Sequence, residues 1–172
     1  MRYDEISDQW FRLLLPSGVS YETFERDTAR ADRDRTKRLI RQMAEEAPKT
    51  ARSLFGIDEL PKSKLGIALL DEVLTPEVAR IWAEMSDPRD PENELKLNLS
   101  EFAVNLGETV AKELDGRWFY ARSPNYFQST VRAGHLEFLP FVVLMKKVSD
   151  DLGDELLQDK FDRFVSAVLK TN

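Results

Sequence analysis

The sequence predicts an α+β fold: one predominantly helical domain over residues 1–172, with a small antiparallel sheet of two to three strands near residues 117–138. Three observations point there. Apolar side chains recur at helical spacing over most of the chain, as in Leu99, Phe102, Ala103, Leu106 and Val110. Start and stop signals punctuate those runs, among them Thr75-Pro76-Glu77 and Asp115-Gly116. The stretch RWFYARSPNYFQSTVRAGHLEF is instead rich in aromatic and β-branched residues and is broken by turn formers.

Taken in order, Tyr3 to Leu15 reads as a first helix stopped by Pro16-Ser17-Gly18. Trp10, Leu13 and Leu14 fall on its core face. Ser20 is placed to cap a second helix, with Val19 and Phe24 at the two positions of a hydrophobic staple. That helix runs to about Glu46, and Pro48 marks a further turn or kink leading toward Phe55, with Gly56 as the stop. Leu60 to Leu74 contains the apolar helical run LGIALLDEVL. Thr75, as cap to Pro76 and Glu77, opens the helix that carries Val78, Ile81, Trp82 and Met85.

SDPRDPENE is the expected exposed loop, and the stretch 87–94 is a weak internal boundary. Asn98 with Glu101 three residues on predicts a capping box and a long helix through Leu114. Gly107 inside it implies close approach by another backbone, because an idle glycine there costs about 1 kcal/mol. Arg117 to Arg122 and Tyr126 to Arg132 read as strands, joined through Ser123-Pro124-Asn125, with His135 to Phe138 as a third. Pro140 opens a helix through Val148. The last helix, Asp154 to Leu169, turns Leu157, Phe161, Phe164, Val165 and Val168 to one face.

Composition narrows the function classes. The apolar runs FRLLL and FLPFVVLM fall far short of the roughly 20 residues that span a bilayer, so no membrane partner is expected. The opening MRYDEISDQW carries acids where a secretory signal needs a basic start and an apolar stretch. With no cysteine there is no disulfide and no thiolate chemistry, and a cytoplasmic location is the expectation. A net charge of -6 argues against generic nucleic-acid binding and permits a basic protein partner.

The segment LNLSEFAVNLGETVAKELDGRW, followed by the short sheet and LEFLPFVVLMKKVSDDLGDEL, resembles a group of uncharacterised bacterial proteins marked by a helix leading into a Gly-Arg-Trp strand. The resemblance covers Leu95 to Phe161, anchored on Gly107, Gly116, Arg117, Trp118, Pro140 and Phe141. It implies the helix–sheet–helix fold and no catalytic residues. Some proteins of this kind look like immunity or accessory proteins of toxins and secretion systems, which implies a protein partner.

No catalytic set, cofactor or metal site emerges from the residues. His135 is the only histidine, and no nucleophile frame surrounds it. Asp87, Asp90, Glu92 and Glu94, and likewise Asp150, Asp151, Asp154 and Glu155, lack the spacing of a calcium loop. An enzyme would have to draw on Arg117, Tyr120, Arg122, His135 and Glu137 around a shared pocket. A non-enzymatic protein-binding role is the stronger reading. Its contact residues are Arg117, Phe119 and Arg122 on the first strand, where arginine beside an exposed aromatic favours partner binding. A second set, Arg26, Arg30, Arg33, Lys37 and Arg41, steps by four, three, four and four along one helix face. That stripe suits a partner or, as a lesser alternative, phosphate or RNA; interleaved acids favour a solvated face.

Overall fold

The computed structural model describes residues 1–11, 30–90, 93–123, 125–153 and 155–171. Its helices are α1 (Tyr3–Trp10), α2 (Arg30–Phe55), α3 (Lys64–Val73), α4 (Pro76–Glu84), α5 (Glu94–Glu113), α6 (Pro140–Lys147) and α7 (Leu157–Thr171). The strands β1 (Arg117–Phe119), β2 (Thr130–Ala133) and β3 (Leu136–Phe138) lie between α5 and α6 and pair antiparallel in the order β1-β2-β3. This is the mostly helical α+β architecture that periodicity predicts. The predicted stop at Pro16-Ser17-Gly18, the Ser20 cap and the Val19/Phe24 staple lie outside the described residues, as does Arg26.

Helix α5 is the axis of the fold. It packs against α2, α4, α6 and β2 and buries residues on nearly every side, from Leu95 through Phe102 and Leu106 to Val110. α2 lays Ile40, Met43, Ala44, Ala47 and Ala51 along it. Small residues there let the two backbones approach closely, and a ring cluster of Phe55, Trp82 and Phe102 closes one end. α7 packs on α3 and α6, and one hydrophobic cluster includes residues from Ile6 to Phe161.

Several local signals act as expected. Thr75 Oγ1 accepts from the Val78 N–H at 3.3 Å and Pro76 opens α4. α2 ends where the Ile57 N–H donates back to the Ala51 carbonyl at 3.3 Å. Four expectations need correction. α2 does not end near Glu46 but runs on through Pro48 to Phe55, with Ala47 and Ala51 fully buried on either side of the proline. α5 starts a turn earlier than Asn98: Asn93 caps it, its side-chain oxygen accepting from the Lys96 N–H at 2.9 Å. Glu101 instead accepts from the Thr50 hydroxyl on α2.

Third, Tyr126–Gln128 form a 3-10 turn rather than the start of a strand. Tyr126 and Phe127 both pack on the core, and neighbouring residues of a strand would point to opposite faces. Fourth, the close approach at Gly107 is by an indole ring, not a backbone. A Cβ at residue 107 would lie 2.4 Å from Trp118 Cζ2, and Trp118 Nε1 donates to Glu108 Oε1 at 2.9 Å, fixing the ring in that notch. In α4, Trp82 and Ala79 are buried, whereas Ile81 and Met85 face solvent.

Candidate binding face on the three-stranded sheet

Strand register sorts the candidate residues by face. Trp118, Val131 and Phe138 align across the sheet, and all three pack on the core. Arg117, Arg132 and Glu137 align on the opposite, outer face. Phe119 shares that face and sits beside Thr130. Leu139 follows β3 as the cap residue of α6. Phe119 is 46% exposed, so the outer face holds an aromatic side chain next to a charged row.

The charged row is ordered internally. Arg132 reaches across to Glu137, with Nε 3.2 Å from Oε1, and its guanidinium lies 4.1 Å from the Phe119 ring centroid. Glu137 thus neutralises Arg132, while exposed Arg117 makes no ion pair among the described residues. The result is a small, locally cationic surface with one exposed aromatic ring against a guanidinium. Arg122 is half-buried beyond the end of β1 and has an interaction of its own.

Tyr120 goes the other way, its ring stacked beside Trp118 at 6.3 Å on the inner side. Burial and the Glu108 carboxylate push its phenol above the ordinary tyrosine range, and Arg41 of α2 pulls in the opposite direction. Arg41 of the stripe thus acts electrostatically on a side chain next to β1. Arg33, Lys37 and Arg41 are exposed along one flank of α2, and Arg30 begins the helix.

The residues of the enzymatic alternative do not converge. Arg117 and Glu137 are on the outer face, Tyr120 is on the inner side, and His135 is exposed in the turn between β2 and β3. A broad concavity lies elsewhere, along α7, lined by Asp159, Asp162, Arg163 and Lys170 among others. Among the described residues no three metal-ligating side chains come together. Asp150 is instead ion-paired with Arg80 at 3.2 Å, and Asp151 accepts from the Tyr3 N–H at 2.9 Å. No described helix is long and apolar enough to cross a membrane.

One polar constellation escaped the sequence reading. Lys96 and Ser100, a turn apart on α5, both point at Tyr126. Ser100 Oγ and the Tyr126 hydroxyl are 3.1 Å apart, and Lys96 Nζ lies 5.9 Å from the ring centroids of both Tyr126 and Phe127. Lys96 is only 6% exposed, and burial lowers its pKa from the usual lysine value. The available signal was a Lys-x-x-x-Ser spacing inside an otherwise apolar helix.

The same burial pushes the Tyr126 phenol up to about 12. A phenol raised in the folded state stabilises the fold below its unfolded pKa near 10, and that stability is lost as pH rises toward 12. The loss should reach about 1 kcal/mol by roughly pH 11. Urea unfolding of the wild type and Tyr126→Phe at about pH 9 and 11 checks this, since the phenylalanine variant should lack that part of the decline.

No family model, curated protein or solved structure matches this chain.

Proposed function

We propose that this chain is a non-enzymatic protein-binding module whose contact surface is the outer face of its sheet. Phe119 carries the reading. It is an aromatic side chain left in solvent, with the Arg132 guanidinium against its ring and Arg117 on the same face of the strand. Rigid aromatic and arginine side chains lose little conformational freedom on binding and supply most of the energy at interfaces.

The uncompensated charge on this face is Arg117, so the fitting partner presents a carboxylate beside an apolar anchor. This local chemistry replaces the basic partner that net charge alone suggests. The resemblance over Leu95 to Phe161 supports a bacterial immunity-type or secretion-accessory role, and the cysteine-free composition supports a cytoplasmic place.

Capture from a lysate of its own cells, using wild type, Phe119→Asp and Arg117→Glu as parallel baits, tests the reading. A partner retained by wild type should bind Phe119→Asp at least about 30-fold more weakly once purified, a loss of about 2 kcal/mol. A partner that binds all three baits equally, or no partner at all, would contradict it.

A further inference from the structure

The first half of α2 is a second charged surface that the sheet does not explain. Residues 33–41 hold five cations, Arg33, Arg35, Lys37, Arg38 and Arg41, against one acid, Asp34. All five are exposed, and none forms an ion pair among the described residues. The second half of the same helix behaves differently: Lys49 pairs with Glu46 at 2.9 Å and Arg52 with Asp58 at 3.5 Å. Among the described residues the helix pairs its cations at one end and leaves them unpaired at the other, which concentrates positive potential on a molecule of net charge -6.

The inner side of this half-helix is occupied, since Thr36 and Ile40 are buried. Arg33, Lys37 and Arg41 run along the flank at four-residue steps, about 6 Å apart and about 12 Å end to end. That pitch matches carboxylates one turn apart on an acidic helix, or on alternate residues of an extended acidic chain. A long nucleic acid would overrun so short a row onto a surface whose remaining charge is negative, and would be repelled there. A short acidic segment would not.

We propose that the Arg33–Lys37–Arg41 flank of α2 is a docking surface for a short acidic polypeptide segment. It does not depend on the sheet face being an interface, and the two can fail separately.

The test measures fluorescence anisotropy of labelled deca-glutamate, deca-glutamine and single-stranded deca-thymidylate against the full chain. Deca-glutamate should bind, at least about tenfold more weakly at about 200 mM than at about 50 mM salt, and deca-glutamine should not bind. Arg33→Glu/Lys37→Glu/Arg41→Glu should weaken deca-glutamate binding at least about 30-fold. Arg89→Glu/Lys112→Glu/Lys170→Glu, with the same net charge, should change it less than about twofold, as should Phe119→Asp. Circular dichroism verifies folding, and the corresponding glutamine triple substitutes if the glutamate triple does not fold. Equal loss in both triples, absent deca-glutamate binding, or tighter binding of deca-thymidylate would each overturn the proposal.

Discussion

Asp71→Ala is expected to lower stability at neutral pH by about 3–5 kcal/mol, enough to unfold many domains of this size. Asp71 sits in α3 with its side chain 8% exposed, and it serves two elements far away in sequence. Its Oδ1 lies 3.1 Å from Nζ of Lys147 at the end of α6, a lysine equally buried. The same carboxylate accepts from the first free amides of α7, Leu157 N–H at 2.7 Å and Gln158 N–H at 3.0 Å. Alanine would leave a buried ammonium with no counter-charge and two helix-start donors with no acceptor.

A graded series separates these roles. Asp71→Asn keeps an acceptor for α7 and should cost less than alanine. Asp71→Asn/Lys147→Met removes the stranded charge as well and should recover about half of the alanine loss. Urea unfolding midpoints report all three. If Asp71→Ala unfolds within about 1 kcal/mol of wild type, the carboxylate does not join α3, α6 and α7 as described.

Gly66→Ala is expected to be the next most damaging change, by about 2–4 kcal/mol, although alanine is the better helix former by about 1 kcal/mol. Gly66 lies in the first turn of α3, and a Cβ there would fall 1.9 Å from the Pro61 carbonyl oxygen. That oxygen is backbone and accepts from the Ser63 N–H at 3.0 Å, so no rotamer change relieves the overlap. The connection carrying buried Leu60, and Lys62 with its ion pair to Glu108, would have to lift away from α3. Leu65→Ala, at the exposed neighbour, should stay within about 0.5 kcal/mol of wild type and serves as the control. A Gly66→Ala protein with an unchanged urea midpoint would show that the carbonyl is not held there.

Both effects show why the fold was more legible in the sequence than its critical contacts. Thr75 caps a helix through an amide three residues away, and the buried stripe of α5 repeats every three or four residues; such signals act within one turn. Asp71 reads in sequence as an acid inside LGIALLDEVL, and its partner amide is 86 residues distant. Asn98 offered a cap as good as Asn93, and only the burial of Leu95 and Lys96 decides between them. Tyr126 and Phe127 carry strand propensity, yet both are drawn to one side by the core. At the candidate face, the period of two along a strand is enough to place Trp118 opposite Arg117 and Phe119. That the strand ends at Phe119, short of Arg122, and that Arg132 lies over the Phe119 ring depend on register, which acts between strands and not within one.

The indole seated on Gly107 has a consequence for the surface behind it. Arg117 and Phe119 leave the backbone immediately on either side of Trp118, pointing away from the helix on which that ring rests. Residue 107 therefore bears on the strand through the indole: bulk added there presses on the middle of β1 from its buried side, and the opposite side is the exposed one. The sheet's outer face could be re-aimed, or its rigidity relaxed, by substitutions that no partner would ever touch.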